Sequence, residues 1–154
     1  MATPTQRLTD LGLSLPEVPT PAAAYQPYAT SGELVLTAGQ LPVRGGTLAV
    51  TGRLGAELTT EQGAAEARIA ALNLLAVGAA AFGSLDAVRV VKLTVFVAST
   101  EAFQEHHLVA NGASQLLGEV LGDAGVHARS AVGVAALPLG APVEVEAVLA
   151  RVAG

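Results

Sequence analysis

The sequence predicts an α+β fold, a mixed sheet with two helices packed on one of its faces. Two segments repeat apolar residues at helical spacing, and a strongly β-branched run from Ala87 to Ala98 separates them. Shorter runs precede the first helical segment and follow the second, so the expected order is strand, strand, strand, helix, strand, helix, strand, strand. No internal repeat or low-complexity linker divides the chain. At 154 residues, 51% hydrophobic and 14% charged, it suits one domain with a sizeable core.

Residues 1–23 read as an extended lead-in in which Pro4, Pro16, Pro19 and Pro21 block regular ladders, with room for a short helix between Thr5 and Leu11. The domain proper is 24–154. Tyr25 to Ala29 and Glu33 to Gln40 read as strands joined at Ser31-Gly32, and the turn Arg44-Gly45-Gly46 leads to a short strand near Leu48 to Thr51. Thr59 and Gln62 stand at capping-box spacing before a helix from Thr60 to Phe82 that Gly83 stops. Ser84-Leu85-Asp86 turns the chain into the Ala87 to Ala98 strand, whose Val88, Val90, Val91, Leu93, Val95, Phe96 and Val97 suit burial. Ser99 or Thr100 is expected to cap the second helix, where Phe103, Ala110, Ala113, Leu117 and Val120 share a face until Gly122 or Gly125. With three Phe, two Tyr and no Trp, the core is filled by Ala, Val and Leu.

The last two strands, His127 to Ala135 and Pro142 to Glu146, read as a hairpin closed through Leu137 to Pro142. Alternation then sets Ser130, Val132, Val134 and Ala136 on the helix-covered side with Val143, Val145, Ala147 and Leu149. The opposite side carries Arg129, Ala131, Gly133 and Ala135 with Glu144, Glu146 and Val148, too polar for a core and unusually small, which reads as a contact face for another chain. In this register Arg129 and Glu144 of one chain lie roughly 20 Å apart, so a site using both forms between subunits and an obligate oligomer is expected.

Composition narrows the function. The net charge of −5 leaves no basic stripe for a phosphate backbone, so nucleic acid is not expected as a partner. The absence of Cys excludes disulfides, thiolate metal sites and cysteine nucleophiles. Met1 to Arg7 shows no signal-peptide pattern, and a cytoplasmic location is expected. The longest apolar stretch, Ile69 to Phe82, is broken by Asn73 and Gly78 and is shorter than the ~20 residues a spanning helix needs, so no membrane is expected. His106, His107 and His127 read as surface residues at no metal-ligand spacing. Gly39, Gly45, Gly46 and Gly52 form no phosphate cradle, and Ser130 has no recognisable base.

Four segments carry a resemblance: Phe96-Val97-Ala98-Ser99, Val109 to Ser114 with Asn111, His127 to Ala135 with Arg129, and Leu137 to Glu146 with Glu144. Together with Leu36 to Pro42 they resemble the RidA/YjgF family, also labelled endoribonuclease L-PSP-like, over roughly Ala24 to Val152. The resemblance implies a chorismate-mutase-like fold, a homotrimer whose sheets form a central barrel, ligand clefts between subunits, and no cofactor. It also implies a hydrolase of the deaminase kind, like a 2-iminobutanoate/2-iminopropanoate deaminase, which turns reactive enamines and imines into 2-oxo acids and ammonia. Arg129 would then grip the substrate carboxylate and Glu144 would handle water, with Asn111, Tyr28 and Gly39 lining the site. Plainer roles stand beside these: an interface ion pair for Arg129, a hydrogen bond to the facing strand for Asn111, packing for Tyr28. The chain departs from the family's deaminase branch at Ala131, where that branch has a cysteine, and at Ala38, where it has a serine. Those departures favour an alternative, a non-enzymatic small-carboxylate binder or sensor; the family label taken literally gives another, an endoribonuclease, against which the acidic charge and sparse aromatics argue.

Overall fold

The computed structural model describes residues 1–18 and 24–154. The expected breakers Pro19 and Pro21 lie outside the described residues. The first helix, α1 (Pro4–Asp10), starts from a Thr3–Gln6 capping box. It is docked: Leu8 is buried, Thr5 donates from its backbone and hydroxyl to Asp86 Oδ1 at 2.8 Å each, and Arg7 reaches the Val120 carbonyl. The lead-in is therefore not extended throughout.

Strands β1 (Tyr28–Ser31) and β2 (Leu34–Thr37) pair antiparallel and are shorter than expected. Past Thr37, only Gln40 continues the contact, exchanging two backbone hydrogen bonds with Val145. The expected third strand near Leu48 to Thr51 is instead a separate two-stranded hairpin, β3 (Val43–Arg44) and β4 (Thr47–Leu48), turned by Gly45 and Gly46 at positive φ. Helix α2 (Thr60–Phe82) has the expected bounds, with a Thr59–Gln62 capping box at one end and left-handed Gly83 at the other. By length and composition alone it could cross a membrane, its 18-residue window having a mean hydropathy of 1.4, but 56% of that window is buried within the fold. Gly78 lets it lie close to the sheet, since a Cβ there would stand 3.1 Å from Leu149 and Val88 side chains.

The long strand β5 (Val88–Ala98) is central but not buried throughout, because alternation turns Val91 outward at 41% exposure and leaves Phe96 half-buried on the bare face. Helix α3 (His106–Leu121) begins later than expected, because Ser99 and Thr100 are used otherwise: their backbone N–H groups bond Val134 and Leu54 carbonyls, and Glu105 holds the N-cap without a side-chain bond. Gly122 ends it as expected.

The terminal hairpin is the main correction. Strands β6 (Ala128–Val134) and β7 (Val143–Arg151) do not pair; the sheet order is β1-β2-β7-β5-β6, so β5 lies between them. β6 runs parallel to β5, and β7 antiparallel to it. β5-α3-β6 is thus a crossover unit, and residues 135–142 step across the end of β5, where Ala98 donates to the Pro142 carbonyl. Arg129 stands beside Leu93, not near Ala150, and Glu144 beside Phe96, not Ala135.

Registers also invert one face. Arg129, Ala131 and Gly133 share the helix-covered side with Leu93, Val95 and Val97, while Ser130 and Val132 lie with Thr94 and Phe96 on the bare side. β7 is sorted as expected, Val143, Val145, Ala147 and Leu149 inward and Glu144, Glu146 and Val148 outward. Arg129 and Glu144 therefore belong to opposite faces. Their backbones are about 14 Å apart, three residues along β5 and two strand spacings across it, rather than roughly 20 Å.

Candidate functional site

Arg129 leaves edge strand β6 and folds back against α3. Its Nη1 donates to Asn111 Oδ1 at 2.9 Å and to Ser114 Oγ at 3.1 Å, and its Nη2 donates to the His107 carbonyl at 3.2 Å. Asn111 and Ser114 are one helical turn apart and so present their polar groups together. A guanidinium has five N–H donors; with three used, Nε–H and one Nη2–H have no protein acceptor among the described residues. No carboxylate pairs with Arg129 there, and the single ion pair among the described residues is Arg68–Glu119. The half-buried guanidinium is thus a fixed cation with two donors unspent.

Two histidines belong to this edge rather than to open surface. His127 Nδ1 lies 2.5 Å from the Gly125 carbonyl and its Nε2 lies 2.9 Å from Ser114 Oγ. His106 Nε2 lies 3.1 Å from Ser99 Oγ, with its ring edge-on to Phe103 at 5.2 Å. This explains the small row on β6: a Cβ at Gly133 would stand 2.5 Å from His106 Nε2 and 2.8 Å from Ser99 Oγ. The close neighbour that the small residues admit is α3 and its histidine, in the same chain.

Glu144 occupies the bare face. Its carboxyl lies over the Gly39 backbone, where a Cβ would overlap it. Gly39 has no left-handed φ, so glycine serves here as space rather than as a turn. Burial, and secondarily the neighbouring Glu146 carboxylate, push the Glu144 carboxyl above its ordinary pKa. Tyr28, at the start of β1, packs half-buried against the core at the other end of the strand order. One protomer therefore joins Arg129 to Asn111, and Glu144 to Gly39, while Tyr28, paired with Thr37 two residues before Gly39, lies at the sheet edge opposite Arg129. Ser114, His127, Ser99 and His106 were not foreseen. A signal for Ser114 exists in its i+3 spacing from Asn111, whereas the fold alone brings His127 to it. No group of three His, Asp or Glu side chains among the described residues could hold a metal.

A family model described as "YjgF/chorismate_mutase-like, putative endoribonuclease" matches residues 5–149. The chain belongs to the YjgF family. The match begins within α1, so that docked helix falls inside the YjgF framework. Among curated relatives, protein TCP17 of Trypanosoma cruzi is 49% identical over 144 residues, 92% of this chain and 90% of that protein. A crystal structure from Shewanella oneidensis MR-1, described as "a putative endoribonuclease", is 35% identical with a TM-score of 0.93, covering 97% of this chain and 99% of its own. Escherichia coli TdcF, solved with bound serine, is 26% identical with a TM-score of 0.60, covering 89% and 93%.

Proposed function

We propose that this YjgF protein hydrolyses small imines or enamines bearing a carboxylate, giving a 2-oxo acid and ammonia. The observation that carries the reading is the Arg129 guanidinium, braced by Asn111, Ser114 and the His107 carbonyl yet keeping two N–H groups for a ligand. Such a planar, permanently charged fork suits a carboxylate. TdcF, solved with serine, gives the reading a relative that holds a small carboxylated molecule.

Imine hydrolysis makes modest demands. The protonated C=N carbon accepts the oxygen of water, one proton passes from that oxygen to nitrogen, and the C–N bond breaks as the remaining hydroxyl gives up its proton to the departing ammonia, leaving C=O and ammonium. Glu144 is the group proposed to take and return the first of these protons, since its raised pKa brings it nearer the working range of a general acid and base. Within one chain Arg129 and Glu144 face opposite sides of the sheet, so the proposal requires a neighbour to supply one of them. A homotrimer in which the bare face of one chain meets the β6 edge of the next would do so, and the bare face exposes Leu34 (40%), Leu36 (45%) and Val132 (43%), an apolar surface suited to contact.

The test is release of 2-oxo acid from 2-aminoacrylate generated in situ by a dehydratase acting on serine. The wild type is expected to accelerate it, and Arg129→Ala to abolish the acceleration. No acceleration by the wild type, with 2-oxobutanoate still bound in calorimetry, would replace catalysis by carboxylate binding alone. RNA cleavage lost in Arg129→Ala would replace both.

A further inference from the structure

We infer that Ser114 and His127 are positioning residues for Arg129, a relay that sets the direction of the guanidinium; this rests on Arg129 being the carboxylate anchor proposed above. The relay starts at Gly125, whose carbonyl is held where the turn after α3 presses on the helix end, a Cβ at that residue overlapping the Leu117 carbonyl. A carbonyl only accepts, so the Nδ1 of His127, 2.5 Å away, carries the proton. In the neutral imidazole Nε2 is then an acceptor, and the Ser114 hydroxyl, 2.9 Å away, donates to it. The hydroxyl oxygen is left with its lone pairs toward Arg129 Nη1 at 3.1 Å, while Asn111 Oδ1 takes the other Nη1 hydrogen at 2.9 Å. Both Nη1 hydrogens are thereby committed, which stops the guanidinium from turning about its stem and fixes the direction of its unused Nε–H and Nη2–H edge. Without the imidazole, the Ser114 hydroxyl is free to bond back to its own helix, as helical serines commonly do.

The test uses 2-oxobutanoate as probe in calorimetry with the full-length protein. His127→Leu is expected to weaken binding about tenfold, whereas His127→Gln, which keeps an acceptor near the Nε2 position, stays within about threefold. In an Arg129→Lys background, His127→Leu should add nothing further, because an ammonium has no planar fork for Ser114 to set. Equal losses from His127→Leu in both backgrounds, or none in either while Arg129→Lys is impaired, would overturn the relay and leave the anchor standing. Wild-type affinity in both Arg129→Lys and Arg129→Ala would overturn the anchor itself. Should His127→Leu not fold, Ser114→Ala carries the same expectations in both backgrounds.

Discussion

Among the described residues that are buried and polar, Glu66 is the one that can ionise. It lies within α2 at 5% exposure, and its Oε2 has no hydrogen-bond partner. Burial raises its pKa, and the opposing pull of Arg44 only moderates the shift. The folded chain thus holds this proton more tightly than the unfolded one. The stability it contributes is full below the ordinary carboxylate range and is lost as pH rises through the raised folded value. Glu66→Gln, which has no proton to lose, should therefore melt higher than wild type at about pH 8, with the two converging near about pH 4. Thermal unfolding across that range checks it, and a wild type more stable than Glu66→Gln at the upper end would contradict it.

At the scale of elements, the closest contact is where α3 crosses α2 at Gly112. A Cβ there would overlap the Ala64 carbonyl and lie 3.0 Å from its Cα, backbone that cannot swing aside. Gly112→Ala is expected to destabilise the fold by about 3 kcal/mol in chemical denaturation, despite the better helix propensity of alanine. Elements with local signals were legible in the sequence: α2 has a capping box and a stopping glycine, and Val-Glu-Val-Glu in β7 alternates without ambiguity. β6 was misread because its pattern is weak on both sides. Ser130 and Val132 looked coverable and Arg129 with Gly133 looked exposed, while the true covered row is polar where Arg129 meets α3 and small where His106 sits. Adjacency in sequence then suggested a hairpin, and nothing local reveals that β5 is inserted. The family likeness singles out Arg129 and Asn111 but not their contact, and it does not single out Ser114 or His127, since their meeting depends on how the turn through Gly125 returns the chain to the sheet.

At the scale of the whole molecule, the sheet separates the proposed groups. Arg129 works beside the helices, Glu144 on the bare face, and no side-chain motion within one protomer exchanges faces. The account therefore predicts that each site borrows from two chains, and complementation reads this out directly. Arg129→Ala and Glu144→Gln subunits, each inactive alone, are co-expressed in equal amounts and assayed for 2-oxo acid release from in situ 2-aminoacrylate. Random assembly into a cyclic trimer leaves about one quarter of the interfaces with an intact Arg129 facing an intact Glu144, so about one quarter of wild-type activity should return. Mixed assemblies as inactive as their parents would contradict the shared site.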